Sequence, residues 1–172
     1  MSRFEIRPES PSDFARVDEI QREAFGGAGE ARLIEALRKR ATPYLSLVAE
    51  SEGRLVGHVM FSPVSIEGTG DPAPLAGLAP LAVSPDTQGQ GAGSALVRSG
   101  LRDCVSLGWQ AVFLLGDPAY YSRFGFVLAA KQGLRYESEA FDAGFQMIEL
   151  VPDALSGCSG WVRYHDAFSE LS

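Results

Sequence analysis

LAPLAVSPDTQGQGAGSALV, residues Leu78 to Val97, changes its period halfway. Leu78 to Val83 is an apolar run of strand length, and Ser84-Pro85-Asp86 stops it. Gly89, Gly91 and Gly93 follow; from about Gly91 the apolar residues Leu96, Val97, Leu101, Cys104 and Val105 recur at helical spacing. A strand that runs through a glycine turn into a helix makes an anion site. The first helical N–H groups lack internal partners, the peptide dipoles add partial positive charge, and glycine lets a ligand approach the main chain. The stretch therefore reads as a phosphate cradle.

Upstream, Phe4 to Arg7 alternates apolar and polar residues and predicts a first strand. Ser10-Pro11-Ser12-Asp13 has the form of a helix start, with Ser10 as N-cap and Pro11 at the first helical position. Phe14, Val17, Ile20 and Ala24 continue that helix until Gly26-Gly27, and Leu33, Ile34 and Leu37 predict a second one from near Glu30. Tyr44 to Glu50 and Arg54 to Ile66 predict a hairpin turning at Ser51-Glu52-Gly53. Pro80, which has no N–H to give a ladder, is consistent with incomplete pairing of the strand before the cradle.

Downstream, the cradle helix is expected to end near Gly108. Ala111 to Leu115 is a continuous apolar run, the mark of a central strand covered on both faces. Gly116-Asp117-Pro118 breaks it, and Leu134 to Tyr136, Gln146 to Leu150 and Gly160 to His165 predict late strands. The order implies an α/β (α+β) chain, a mixed sheet with helices on its faces, in one domain spanning residues 1–172.

A net charge of −7 on 172 residues argues against a nucleic-acid surface, which is normally basic. Cys104 and Cys158 stand far apart without a CxxC pair, so reduced thiols are expected, with Cys104 in a helix core. The two histidines and two cysteines are scattered, and no metal site is expected. Nothing at the N-terminus resembles a signal peptide, and no apolar run approaches the roughly 18 residues of a membrane span, so a soluble, cytoplasmic protein is expected.

Three phosphate readers separate on spacing. A P-loop needs a lysine, which this loop lacks, so nucleotide hydrolysis is poorly supported. A dinucleotide fingerprint needs a sixth-position glycine; from Gly89 that position is Ser94, and from Gly91 it is Leu96. The pattern Q/R-x-x-G-x-G/A fits Gln88-Gly89-Gln90-Gly91-Ala92-Gly93 at every fixed position.

With that loop the chain resembles the GNAT superfamily of N-acetyltransferases. Val56-Gly57-His58, Leu81 to Pro85 and Tyr121-Ser-Arg-Phe-Gly-Phe126 occur in the family's order. The fuller blocks Gly57 to Pro63, Gly116 to Phe126 and Gly160 to Tyr164 are similar to the YhbS-like subgroup of predicted acetyltransferases, and the likeness covers nearly the whole chain. It implies a GNAT fold: a mixed, mostly antiparallel sheet with helices on both faces and splayed strands holding acyl-CoA. Main-chain N–H groups of Gln88, Gly89, Gln90, Gly91, Ala92, Gly93 and Ser94 would hold the CoA pyrophosphate. Leu81, Ala82 and Val83 would pair with the pantetheine amides as an added strand does.

Acetyl transfer needs a deprotonated amine and an acid for the departing thiolate. Tyr121 matches the family's tyrosine acid, with Tyr120 as its neighbouring rival. Leu78 to Val83 lacks the glutamate that many relatives carry, which leaves His58, Glu23, Asp117 or water as the base. The acceptor is expected between the hairpin and the first two helices, where Glu23, Phe25 and Glu30 would line the mouth. The function implied is transfer of acetyl from acetyl-CoA to a primary amine of a small molecule or peptide. Its alternative is a non-catalytic acyl-CoA-binding sensor or scaffold. The late strands are candidates for pairing across a homodimer.

Overall fold

In the computed structural model, residues 3–69 and 73–171 are described. Strands β1 (Glu5–Pro8), β2 (Leu45–Ser51), β3 (Arg54–Ile66), β4 (Leu75–Val83), β5 (Ala111–Leu115), β6 (Val127–Leu128), β7 (Leu134–Arg135), β8 (Phe145–Glu149) and β9 (Gly160–Arg163) form the sheet. The helices are α1 (Phe14–Phe25), α2 (Gly29–Arg40), α3 (Ala92–Ser106) and the single turn α4 (Pro118–Tyr121). The strands run in the order β1-β2-β3-β4-β5-β8-β6, with β9 bridging β3 and β7. Pairing is antiparallel except between β4 and β5 and between β7 and β9.

Local chemistry explains the helix ends. The Asp13 carboxylate accepts the Ser10 N–H at 2.8 Å, but Pro11 to Asp13 wind as a 3₁₀ turn and α1 begins at Phe14. Gly26, at φ +72°, ends α1 by donating its N–H to the Arg22 carbonyl. Arg7 donates to Asp13 and to Glu50, tying β1, the start of α1 and β2 together.

Helices cover both faces. Val17, Ile20, Leu33, Ile34 and Leu37 of α1 and α2 pack on Val48, Leu55, Met60 and Ala82. On the other face Leu96, Val97 and Cys104 of α3 pack on Leu47, Ala49, Val59, Phe61 and Leu78. Gly100 makes that approach possible: a Cβ there would sit 2.3 Å from the Phe61 ring. Sequence alternation puts Val56, His58 and Met60 on one face, but a β-bulge intervenes. Ala49 pairs with Gly57 and Glu50 with Leu55, so Val56 is turned into the α3 core while His58 faces α1.

The feature that matters for function is where β4 leaves β5. They pair only from Leu75↔Ala111 to Gly77↔Phe113. Beyond that β4 stays with β3 as far as Val83, through a bulge that sets Ala79 and Pro80 between the Phe61↔Leu78 and Val59↔Leu81 pairs. A wedge opens, and Leu115, expected inside a covered strand, is 45% exposed on its wall. The late strands lie within two residues of their predicted bounds; Val127–Leu128 was not legible in the sequence. Within the chain β8 pairs with β5 and β6, and β9 with β3 and β7.

Candidate active site

The turn between β4 and α3 is built for an anion. Gly91, at φ +100°, turns the chain into α3. Among the described residues, the backbone N–H groups of Gly89, Gln90, Gly91, Ala92, Gly93 and Ser94 donate to no protein acceptor; the helix ladder begins with Ala95 donating to Gly91. Consecutive unpaired donors at a helix start hold an anion by main chain alone. A 480 Å³ cavity lies against them, lined by Leu81, Val83, Gln88, Gly89, Gly91 to Ser94, Tyr120 and Arg123.

Charge reinforces this. Arg7, Arg16, Arg38 and Arg54 are paired with carboxylates. Arg123 at this cavity has no ion pair among the described residues, and neither do Arg3, Arg98 and Arg102, which line the groove on the other side of the loop. Arg98 lies over the Phe124 ring and Arg123 over Tyr120, so packing holds their heads in place. In an acidic chain these unneutralised cations make the loop a local positive region.

Strand β4 presents its main chain to the wedge. Ser84 donates its N–H to the Val56 carbonyl at 2.8 Å, which fixes the antiparallel alternation. Ala82 therefore turns its N–H and C=O to β3, while Leu81 and Val83 turn theirs away from β3, into the gap. The Gln88 side chain donates to the Val83 carbonyl at 3.0 Å, tying the loop to the strand. The expected contact at Ala82 is corrected on this ground: its polar groups face β3 and its side chain is in the α1–α2 core. Leu81 and Val83 keep the assigned orientation.

A second cavity, of 430 Å³, fills the wedge. Leu78 to Leu81 line one wall, Leu114, Leu115 and Tyr121 the other, and Phe25, Glu30, Leu33, Tyr136, Tyr164, Phe168 and Leu171 complete the lining. Leu81 lines both cavities, so they meet at that residue.

The two adjacent tyrosines divide between them. Tyr120 lines the loop cavity and its hydroxyl is 2.9 Å from Ser94 Oγ. Tyr121 lines the wedge, its ring against Gly116, where a Cβ would sit 2.5 Å from Cε2, and edge-on to Phe126. Burial, with Tyr120 beside it, pushes the Tyr121 phenol up to about 12, so it keeps its proton at neutral pH.

The candidate bases do not reach the wedge. His58 lines neither cavity and is fully buried behind β3. Gln21 Nε2 lies 2.9 Å from Nδ1, and Nε2 lies 2.7 Å from Ser46 Oγ, which donates to Glu9 at 2.9 Å. Arg38 holds that glutamate at 2.5 Å. The donors run one way, from Gln21 through a neutral His58 and Ser46 to the carboxylate. Burial, with Arg38 nearby, lowers the His58 pKa to about 3. His58 is thus corrected from candidate base to structural residue. Glu23 pairs with Arg16 at 3.6 Å and Asp117 caps α4 by accepting the Ala119 N–H, so neither lines the wedge. Phe25 and Glu30 do, as expected.

Tyr136, Tyr164, Phe168 and Leu171 were missed by sequence reasoning. Their only signal was an apolar-aromatic bias in segments read as late strands and tail; their convergence depends on β9 crossing to β3. Tyr164 packs on Gly77, where a Cβ would meet its ring at 2.4 Å, and so floors the wedge where β4 and β5 part. The hairpin, expected beside the acceptor, does not line this cavity. Among the described residues, no group of three His, Cys, Asp or Glu side chains is placed to hold a metal ion, and no helix is long and apolar enough to cross a membrane.

Comparison with known proteins agrees with this geometry. Residues 5–129 match the acetyltransferase (GNAT) domain family. The chain is 42% identical to the Escherichia coli (strain K12) uncharacterized N-acetyltransferase YhbS over 96% of its own length and 99% of that protein. The crystal structure of Escherichia coli YhbS in complex with CoA superposes with a TM-score of 0.89, covering 97% of this chain and 92% of that one. A Brucella melitensis GNAT family acetyltransferase in complex with acetyl-CoA superposes at 0.76 with 36% identity, covering 96% and 97%. A splayed sheet, a glycine loop with free N–H groups and these matches lead to one conclusion: the chain belongs to the GNAT family of acetyltransferases.

Proposed function

We propose that this protein transfers the acetyl group of acetyl-CoA to a primary amine by direct attack on the thioester. The observation that carries the reading is the meeting of the two cavities at Leu81. An anion-binding loop lies on one side of that residue and a largely apolar wedge with a protonated tyrosine on the other. A cosubstrate with its pyrophosphate on residues 89–94 would run along the gap-facing main chain of Leu81 and Val83, where the Val83 carbonyl already accepts from Gln88, and end in the wedge beside Tyr121.

There the amine nitrogen bonds to the acetyl carbon, the carbon–sulfur bond breaks, and the Tyr121 hydroxyl gives its proton to the leaving sulfur. The proton shed by the new amide nitrogen returns to the tyrosine oxygen through water. An acceptor arriving as an ammonium first loses one proton to solvent. Holding both reactants in one cleft supplies much of the acceleration, and the acid contributes on the order of 10²-fold. The free thiols Cys104 and Cys158 support a reducing, cytoplasmic setting.

Release of CoA thiol from acetyl-CoA, followed with a panel of amines, tests the reading. Turnover that drops about 10²-fold in Tyr121→Phe, with the KM for acetyl-CoA retained, supports it. Unchanged turnover in that variant removes Tyr121 as the acid. Tight CoA binding without turnover on any amine favours an acyl-CoA-binding module instead.

A further inference from the structure

Resting on the acetyl-transfer reading, we infer that the acceptor is a monoamine with an apolar, aromatic-sized body, its ammonium held by Glu30. The inner end of the wedge, Leu78 to Leu81 with Leu114 and Tyr121, borders the loop cavity and belongs to the thioester. What remains for an acceptor is the rest of the lining: Phe25, Leu33, Tyr136, Tyr164, Phe168 and Leu171, with Glu30. Every side chain there is apolar or aromatic except that one carboxylate, and Glu30 has no ion pair among the described residues.

The rings are set rather than loose. Tyr136 meets Tyr164 edge-on with centroids 5.1 Å apart, and Tyr164 meets Phe168 in the same way at 5.0 Å. Phe25 and Leu171, 46% and 38% exposed, stand at the rim with Leu115, leaving apolar surface that an occupant would cover. A cavity of 430 Å³ is in the range that encloses one small ligand. A polyamine or an aminosugar would bring several polar groups against this lining and find Glu30 and a few phenols to meet them, leaving the rest unpaired. An aromatic ring on a short chain fills the aromatic wall and brings one charge, which Glu30 holds on entry; the same nitrogen, once it has lost a proton, turns inward to the thioester. The wall residues from 136 onward lie beyond the 5–129 segment that matches the common GNAT domain, so this wall is a feature of the chain's own C-terminal part.

The full-length protein is assayed with acetyl-CoA and 2-phenylethylamine, spermidine, kanamycin and a short peptide with a free N-terminus. Separately, calorimetry measures 2-phenylethylamine and spermidine binding to the CoA complex. Expected are a kcat/KM for 2-phenylethylamine about tenfold or more above the others, and heat of binding for it alone. In Glu30→Gln, KM for 2-phenylethylamine rises about tenfold while KM for acetyl-CoA stays within twofold; Glu30→Asp recovers part of the loss. Spermidine, kanamycin or peptide turnover equal to or above that of 2-phenylethylamine overturns the inference and leaves acetyl transfer standing. Binding of 2-phenylethylamine without turnover of any amine supports the pocket and overturns the transfer reading. Absence of both binding and turnover for 2-phenylethylamine overturns the inference, as does a Glu30→Gln KM equal to wild type.

Discussion

Tyr120 and Tyr121 meet at right angles with ring centroids 4.9 Å apart, and each faces a different cavity. One turn of helix therefore serves both ends of the cleft, Tyr120 bracing the glycine loop through Ser94 and Tyr121 closing the wedge.

The two hydroxyls should separate in kinetics. Tyr121→Phe lowers kcat, whereas Tyr120→Phe loses the 2.9 Å contact with Ser94 and raises the KM for acetyl-CoA severalfold with a smaller effect on kcat. The Tyr121 pKa is raised from 10 to about 12, so its acid form persists through the usual assay range and no loss of kcat from its ionisation is expected below pH 10. Equal effects of the two substitutions on kcat and KM would sink the division of roles.

Gly116 sets the Tyr121 ring. Replacing it with alanine puts a Cβ 2.5 Å from Cε2, a clash the ring can relieve only by leaving its place. Gly116→Ala should cost about 1–3 kcal/mol in stability and lower kcat more than KM. Thermal unfolding and initial rates measure the two; a variant with wild-type kcat would mean that the ring position does not matter.

His58 should govern acid stability and leave chemistry alone. Its folded pKa of about 3 lies below the ordinary 6.5, so between these values the unfolded chain binds a proton that the folded one refuses. Stability from this group is present above about pH 6.5 and declines as pH falls, by about 1.4 kcal/mol per unit. His58→Gln is expected to flatten the stability curve between pH 6.5 and 5 and to leave the shape of the kcat–pH profile unchanged. A shifted profile would return His58 to the list of bases.

Arg98 and Arg123 should tune cosubstrate affinity through charge. Neither has a carboxylate partner among the described residues, and both stand beside the loop. Replacing both with alanine is expected to weaken CoA binding about tenfold at low salt and to shrink its salt dependence. Titration calorimetry at two ionic strengths gives the comparison; a double variant with the wild-type salt slope would show that the main chain alone holds the phosphates.

The loop and its flanking elements were legible because one local pattern carries them. Glycines at fixed offsets, a proline stop and a change from apolar run to helical spacing all fall within residues 78–97, and β5 appears between its predicted bounds. The base was left open among His58, Glu23, Asp117 and water, and a bulge at Val56 breaks the alternation that put Val56 on the face of His58 and Met60. Nor does the strand's own sequence say that helices pack on both sides of β3, which is what makes His58 a buried residue. Glu23 was placed by proximity to Phe25, but helical geometry turns it toward Arg16. The acceptor wall joins Phe25 to Leu171, and nothing short-range encodes a contact across that separation.

The parting of β4 and β5 also has a mechanical meaning. Among the described residues, the β1–β4 half of the sheet pairs with the β5-β8-β6 half at one end only, by Leu75–Gly77 against Ala111–Phe113. Beyond that seam no ladder joins the halves, and the edge groups of Leu81 face the gap while the Val83 carbonyl accepts from Gln88. A cosubstrate laid along that edge, as proposed, would supply a missing strand and become the last structural member of the sheet.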